Sequence, residues 1–322
     1  MPKTHRPRKG SLQYYPRKKA FKIIPSVNWS AISFPKAEGL LGFIVYKAGM
    51  GTAIVKDTTE KSMTQNKKIA IPVTILESPP MKIFSIRFYK DGIVLKDIIV
   101  SNDKDLKRKL RLPKSLSNFD SSVPKEFDDI RIIVYSLPKQ ALLKKTPDLI
   151  ELSINSPNKL SFVKSLIGKE ISISDFVKIV EENKLVDIRG VTKGKGIQGP
   201  VKRFGITLRQ HKSEKGQRNP GSIGPWHPAR VTFRTPLAGQ LGFFSRVDYN
   251  HKLITSGKIS EKDINPKSGF KHYGKVNSSF VIIKGSVQGP QKRPVLLTYP
   301  LRPSKDQKKI KYEFQELLVW TN

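Results

Sequence analysis

Between Gly190 and Arg234 the chain contains ten Lys or Arg and a single acid, Glu214. The same stretch contains eight glycines and four prolines, which interrupt helices and strand ladders repeatedly. Such a segment cannot form a core of its own, and like charges at this density repel one another unless an anion screens them. The composition therefore predicts an irregular basic arm that becomes ordered against a polyanion, the commonest of which is nucleic acid.

The whole chain of 322 residues has a formal net charge of +34, far more than solubility requires. No apolar run approaches the roughly 20 residues of a spanning helix, which argues against a membrane partner. Cysteine is absent, and this excludes disulfides and thiolate metal sites. The first ten residues lack the apolar region of a secretory signal, so we expect a cytosolic protein with a large anionic partner.

A second basic segment covers residues 1–37, with nine Lys or Arg and no acid. Tyr14, Tyr15, Phe21 and Trp29 lie among these charges and offer faces on which bases or sugars can stack. A disordered solubilising terminus is the alternative. The aromatic residues favour an extension that binds nucleic acid.

Residues 77–182 differ, because 19 Lys or Arg are nearly balanced by 15 Asp or Glu. Ser156 and Pro157 are typical of a helix start, with a stop at Gly168, and a second helix is predicted over Ser174 to Lys184. Strand-like runs accompany these helices. We expect an inserted α/β module with an ordinary surface.

Outside this module, β-branched runs separated by Gly and Pro predict a small barrel or sandwich. Two short strands around a glycine-rich turn are expected between Gly39 and Val55, and further strands follow on both sides of the module. The predicted fold class is mainly β, with a barrel or sandwich and an α/β insertion. The basic arm then connects two barrel strands.

Gly194 to Gly199 matches the dinucleotide fingerprint G-x-G-x-x-G. A Rossmann turn opens a helix, whereas the residues after Pro200 have β-like character, and no acid follows at the ribose-binding distance. Glycines that let the backbone approach a phosphate chain, beside Lys193, Lys195 and Arg203, explain the motif without a nucleotide cofactor.

Trp226 lies on a segment without a core, and two interpretations are equally supported: it folds back on the barrel, or it packs against RNA at the tip of the arm. The five histidines show no metal-ligand spacing, and no nucleophile elbow G-x-S-x-G occurs. We expect no metal, no cofactor, no small-molecule substrate and no catalysis. A nucleotide-dependent or RNA-modifying enzyme and a nucleoid-type DNA-binding protein are the alternatives.

Five segments together resemble the universal large-subunit ribosomal protein number three family in its archaeal form. They are HRPRKGSLQYYPRKKA (5–20), GFIVYKAGM (42–50), GVTKGKGIQGPVKRFG (190–205), GSIGPWHPARV (221–231) and AGQLGFFSRVDYNHKLI (238–254). The resemblance implies a translation-factor-type β-barrel with an inserted domain, a basic N-terminal extension and a long central finger. It also implies a cytoplasmic, ribosome-bound protein that contacts 23S-type rRNA and neighbouring large-subunit proteins, takes part in early subunit assembly and reaches the peptidyl-transferase centre.

On this basis the expected division is an extension (1–37), a barrel (38–76, 185–193 and 236–300), an insertion (77–184), a finger (194–235) and a C-terminal segment (301–322). The signature glycines are Gly190, Gly194, Gly196 and Gly199. The expected RNA-binding residues are Arg6, Arg8, Lys9, Arg17, Lys18, Lys19, Lys193, Lys195, Lys202, Arg203, Arg209, Lys212, Arg218, Trp226, His227, Arg230 and Arg234.

Overall fold

The computed structural model describes residues 9–32, 35–116 and 118–319. The chain divides into two compact units. Unit 1 consists of Met1–Phe21 and Val191–Ser245, and unit 2 consists of Lys22–Gly190 and Arg246–Asn322. Across the described ranges, no helix has the length and apolar character needed to cross a membrane.

Strands dominate the described chain, which confirms the mainly β prediction. They are β1 (Gly39–Leu40), β2 (Gly42–Asp57), β3 (Lys68–Ser78), β4 (Met81–Lys90), β5 (Ile93–Ile99), β6 (Asp129–Ser136), β7 (Leu149–Asn155), β8 (Leu185–Val191), β9 (Gly194–Gln198), β10 (Gly239–Gly242), β11 (Ser245–Lys258), β12 (Ser279–Lys284), β13 (Pro294–Thr298) and β14 (Tyr312–Leu318). The α-helices are short: α1 (Phe119–Ser122), α2 (Lys159–Leu166), α3 (Ile173–Val180), α4 (Pro200–Phe204) and α5 (Lys305–Lys309). Two 3-10 turns cover Trp29–Ala31 and Lys104–Arg108.

A closed ring of six strands forms the barrel. The strand order is β13-β8-β11-β12-β3-β2, and β2 pairs again with β13, so the ring has no free edge within these six strands. Along β2, Gly42 to Tyr46 pair with β13, while Thr52 to Asp57 pair with β14, which continues the sheet beyond the ring. Closure of the ring gives every member strand a partner on both sides.

The prediction of two short strands between Gly39 and Val55 was wrong, because β2 runs for 16 residues without a break. A bulge between Lys47 and Gly49 absorbs the irregularity. Gly49 is needed for packing, since a Cβ there would lie 2.7 Å from the Phe270 ring. The glycines that suggested a turn instead let neighbouring side chains approach the strand.

The inserted module is a five-stranded antiparallel sheet in the order β1-β7-β6-β4-β5, with α2 and α3 following β7 along the chain. Both predicted helices exist, with corrected starts. α2 is capped by Asn158, whose side chain accepts from the Ser161 amide, and not by Ser156. α3 begins one residue early because the Asp175 carboxylate accepts from the amide of its N-cap, Ser172.

Buried polar contacts join this sheet to the barrel inside unit 2. The hydroxyl of Tyr46, on β2, donates to the Asp148 carboxylate at 2.6 Å and lies 2.7 Å from the Ser136 hydroxyl. Burial, followed by the charge of Asp148, raises the pKa of Tyr46 well above its usual value, so the phenol remains a donor. These contacts fix the module against the barrel wall.

Glu77 is completely buried near the end of β3, and four hydrogen bonds surround its carboxylate. It accepts from the Asn277 amide at 2.7 Å, from the Ser278 amide and hydroxyl at 2.9 Å each, and from the Tyr273 hydroxyl. The carboxylate thereby holds the 273–278 segment against the barrel. A buried charge is tolerated only when it is satisfied in this way.

Replacement Glu77→Ala leaves these donors buried without an acceptor. We expect it to lower the free energy of unfolding by about 3 kcal/mol or more, measured by urea denaturation followed by circular dichroism. The matched control is Glu60→Ala, because Glu60 is exposed and only 3.8 Å from the equally exposed Lys311. It should change the free energy by less than about 0.5 kcal/mol. Equal effects of the two substitutions would show that the Glu77 hydrogen bonds do not stabilise the fold.

Lys252 on β11 is buried, and its ammonium donates to the carbonyls of Asn183 and Gln307 at 3.1 and 3.2 Å. Burial, followed by repulsion from Lys184 and Lys284, lowers the pKa of Lys252 to about 8.

Between pH 8 and the usual lysine value near 10.5, the unfolded chain holds a proton at Lys252 that the folded chain has released. Stability contributed by this group therefore rises with pH in that window. We expect the difference in free energy of unfolding between wild type and Lys252→Met to shift in favour of wild type from pH 7 to pH 10. A difference independent of pH would contradict the shifted pKa.

Candidate nucleic-acid interface

The base of the basic arm is a short antiparallel ladder. In it β9 pairs with β10, with Gly194 opposite Gly242 and Gln198 opposite Gly239. After β9, the residues that the sequence suggested to be β-like form helix α4, so that prediction was wrong. Pro200 begins the helix with its fixed φ, and Gly205 ends it in the left-handed region at φ 65°.

The helix that follows the fingerprint glycines does not restore the dinucleotide interpretation. β9 pairs antiparallel with a strand some 40 residues later, whereas a Rossmann unit needs parallel strands and a crossover helix. α4 has only five residues. Within the described ranges, no group of three or more His, Asp or Glu is placed to hold a metal ion.

Two glycines of the ladder have a left-handed backbone conformation that favours glycine. Gly242 has φ 71°, and a Cβ there would lie 2.0 Å from the Lys193 carbonyl oxygen. Gly196 has φ 65° and faces open space. Among the other signature glycines, Gly199 also faces open space, whereas Gly190 is buried in β8 beside Gln288. Gly196 and Gly199 thus leave the backbone of the arm open to a close approach.

The N-terminal segment packs on the base of the arm through cations and aromatic rings. The guanidinium carbon of Arg17 lies 4.6 Å from the centre of the Phe204 ring, and that of Arg203 lies 5.1 Å from it. Tyr15 packs edge-on against Phe233 with ring centres 5.4 Å apart. Such cation–π contacts stabilise an assembly that has almost no acids to pair with its cations.

Arg203 is also fixed by the backbone of the arm. Its Nε donates to the Gln240 carbonyl at 3.0 Å and its Nη1 to the Leu237 carbonyl at 2.9 Å. Burial, followed by the charge of Arg17, lowers the pKa of Arg203 from its usual value. Arg17 and Arg203 are therefore half-buried residues that position the arm, and they differ from the exposed cations around them.

The charge of unit 1 is almost unopposed. Its residues include seventeen Lys or Arg and one acid, Glu214. In the part of unit 1 that the structure describes, no Lys or Arg forms a salt bridge, whereas the inserted module contains most of the salt bridges of the chain. Within unit 1 a single acid opposes this positive charge, which makes the unit a strong attractor of anions.

Beyond α4 the arm from residue 205 to 238 has no regular element, as the glycines and prolines predicted. A few hydrogen bonds shape it: Arg209 donates to the Pro220 carbonyl at 2.8 Å, and the Thr235 hydroxyl donates to the Ile223 carbonyl at 3.0 Å. Trp226 is 89 % exposed. The ring therefore packs against little of the arm itself, and its binding to RNA stays a prediction.

Most of the predicted RNA-binding residues are exposed. Arg6 and Arg8 lie outside the described residues. Arg17 and Arg203 are half-buried, as described above. The exposed ones are Lys9, Lys18, Lys19, Lys193, Lys195, Lys202, Arg209, Lys212, Arg218, Trp226, His227, Arg230 and Arg234.

Sequence reasoning misjudged one aromatic residue and overlooked two others, together with one exposed aliphatic residue. Trp29 is only 2 % exposed, and its indole N–H donates to the Glu151 carbonyl at 3.1 Å, so it belongs to the core of unit 2 and offers no stacking face. Phe204 and Phe233 were not recognised as part of the framework of the arm. Ile197, 80 % exposed on β9, adds an apolar side chain to the charged surface. Only the contacts of the folded chain distinguish these roles.

Comparison with known proteins shows which protein family this chain is related to. Residues 1–110 and 101–320 match the family model described as Ribosomal protein L3. Proteins named large ribosomal subunit protein uL3 are similar to this chain. The relative from Methanocaldococcus jannaschii is 37 % identical, covering 93 % of this chain and 92 % of its own. The relative from Archaeoglobus fulgidus is 39 % identical with 94 % of each chain covered, and that from Methanobrevibacter smithii is 38 % identical with 97 % of each covered.

These matches confirm the resemblance that the five sequence segments indicated. The similarity extends over the barrel, the inserted module and the basic arm together, and the relatives compared are all archaeal. The chain therefore belongs to the ribosomal protein L3 family.

Proposed function

We propose that the protein is a structural constituent of the large ribosomal subunit that binds 23S-type rRNA and acts at the ribosome in the cytoplasm. The observation that carries this proposal is the concentration of exposed, unpaired Lys and Arg in unit 1, with one acid among seventeen basic residues. Folded rRNA supplies the dense phosphate charge that this surface lacks. Counterion release makes such contacts favourable.

In this proposal the arm and the N-terminal segment bind the RNA backbone without reading its sequence. Gly196 and Gly199 have no Cβ that would separate the backbone amides from a phosphate, and Lys195 and Lys202 are exposed close by. Side chains and amides of this kind bind phosphate and sugar and fix the register of the protein on the RNA. Arg17 and Arg203 hold the base of the arm in place.

The tip of the arm has a different role. Trp226 presents an exposed aromatic ring between Pro225 and His227, and unstacked RNA bases pack on such faces. We propose that this tip supports the peptidyl-transferase centre and that the arm takes part in early assembly, when it neutralises phosphates as the RNA compacts. Neighbouring large-subunit proteins are the further partners.

We propose that the segments expected from the sequence have different roles. The barrel docks on folded RNA, the insertion provides a surface of nearly balanced charge, and the extension and finger thread between RNA helices. No chemical step is proposed. Deformable A-form RNA with splayed loops suits arms of this shape better than regular duplex DNA.

Binding to a large-subunit rRNA fragment should weaken steeply with salt. Neutralising about eight phosphates predicts a slope of log affinity against log salt of roughly −6. The double substitution Lys195→Ala with Lys202→Ala should reduce the magnitude of that slope by about 1.4, because each lost phosphate contact accounts for about 0.7. Filter binding at salt concentrations from about 50 to 200 mM KCl measures the slope.

The control is the double substitution Lys169→Ala with Lys178→Ala, which removes the same charge from exposed positions of the inserted module. Its slope should match that of wild type. If both double variants changed the slope equally, the arm would not be the phosphate-binding element.

Trp226→Ala should leave folding intact, because an 89 % exposed side chain contributes less than about 0.5 kcal/mol. The melting temperature should stay close to wild type, and so should the affinity for an rRNA fragment that lacks the peptidyl-transferase region, while subunits assembled with the variant should show altered peptide transfer. Loss of soluble folding in this variant would instead mean that the ring packs on the protein.

A further inference from the structure

The outermost strand of the inserted module exposes three consecutive apolar side chains. On β5, Ile93 is 72 % exposed, Val94 44 % and Leu95 51 %. Because successive side chains of a strand point to opposite faces, both faces of β5 are apolar at this end. Single exposed apolar residues are common, but an apolar run on a strand at the edge of a sheet marks a surface that binds another chain.

Within the described residues, β5 pairs only with β4, and its other edge has no strand partner. Every second residue of that edge therefore directs its amide and carbonyl away from the sheet. The turn at Asp91 and Gly92, both with positive φ, leads directly into this end of the strand. An added strand would find both hydrogen-bonding groups and apolar contacts.

The barrel offers a useful contrast at its own outer strand. β14 also has a single partner strand among the described residues, yet Glu313 and Glu316 lie exposed along it. Charged side chains of this kind protect an edge from unwanted pairing. β5 also has two exposed charged residues, Lys96 and Asp97, but they follow the apolar residues 93–95, so only the first end of the strand lacks a charged side chain.

Charge around the β4–β5 turn favours a basic partner. Asp91 and Asp128 are exposed, the Asp128 carboxylate accepts from the Asp91 amide at 2.7 Å, and no salt bridge of the described chain involves either residue. Lys90, in contrast, is already paired with Glu126 at 2.5 Å. At physiological salt the Debye length is about 8 Å, so the charge that a bound segment meets here is set by the side chains nearby.

We propose that the outer edge of β5 binds an extended, basic segment of another protein, which adds a strand to the five-stranded sheet. Backbone hydrogen bonds supply the pairing, apolar side chains of the segment cover Ile93 and Leu95, and its Lys or Arg lie near Asp91 and Asp128. β5 has seven residues, so the segment spans about 23 Å. RNA fits this surface poorly, because the end of the strand is apolar and because Asp91 and Asp128, which form no salt bridge in the described chain, outnumber Lys96, the one cation on β5.

The test uses the full chain and a fluorescein-labelled heptapeptide of alternating valine and lysine. The matched probe is the same peptide with alternate amides methylated, which keeps charge and side chains but cannot donate the strand hydrogen bonds. We expect saturable binding of the first peptide in fluorescence anisotropy and at least tenfold weaker binding of the second. Hydrogen exchange should slow at 93–99 only with the first.

The variant is Ile93→Lys with Leu95→Lys, and its control is Met63→Lys with Leu142→Lys, which adds the same charge at positions 94 % and 82 % exposed. Binding should fall at least tenfold in the first variant and remain unchanged in the second. Equal binding of the methylated peptide, or equal loss in both variants, would overturn the proposal. A concentration-dependent dimer that the first variant abolishes would also overturn it, because a second copy of the chain would then occupy the edge. So would slower hydrogen exchange at 93–99 in the presence of an rRNA fragment.

Discussion

Repulsion among the cations of unit 1 is the constraint on which the rest of the structure depends. Unit 1 contains seventeen Lys or Arg, and 25 of the 26 acids of the chain lie in unit 2. Without acids, unit 1 cannot bury ion pairs or build an ordinary core. The apolar side chains of the chain are concentrated instead in the barrel and the inserted module, where Tyr46 and Asp148 join the two.

The arm is therefore organised by interactions that do not require negative side chains. Arg17 and Arg203 pack on the Phe204 ring, and Arg203 donates to two backbone carbonyls. The ladder between β9 and β10 forms the base of the arm, and Gly242 permits the close approach of the two strands there. Beyond this base the exposed lysines and arginines remain available for phosphate, which is what an RNA-binding arm needs.

The inserted module differs from unit 1, because its acidic and basic residues are nearly equal in number. Its carboxylates and cations pair on the sheet surface, as in the contacts of Arg87 with Asp97 and Glu151. A surface of balanced charge neither attracts RNA nor repels a second protein. Charge is thus separated within one chain into a strongly basic region, to which we assign the RNA contacts, and a nearly balanced one, to which we assign the protein contact at the exposed end of β5.

Much of the barrel could be predicted from sequence because its strands are β-branched runs separated by Gly and Pro. The 16-residue β2 could not, since its glycines resemble a turn until the pairing partners on both sides are known. β14 was missed because its alternation of polar and apolar residues is weak. In α4, Pro200 and Gly205 were visible as start and stop signals, but the β-like residues between them dominated the interpretation.

The chemistry of the candidate interface could be predicted better than its geometry. Charge density along the sequence identified the arm, since solvated cations remain exposed in almost any fold. The separation of Arg17 and Arg203 from the exposed cations, and the burial of Trp29, depend on contacts between residues far apart in sequence.

Competition binding of the full chain to a large-subunit rRNA fragment against random duplex DNA of equal length, at physiological salt, tests the central claim most directly. Strong preference for the rRNA is the predicted result, and equal affinity for both would contradict specific docking on folded RNA.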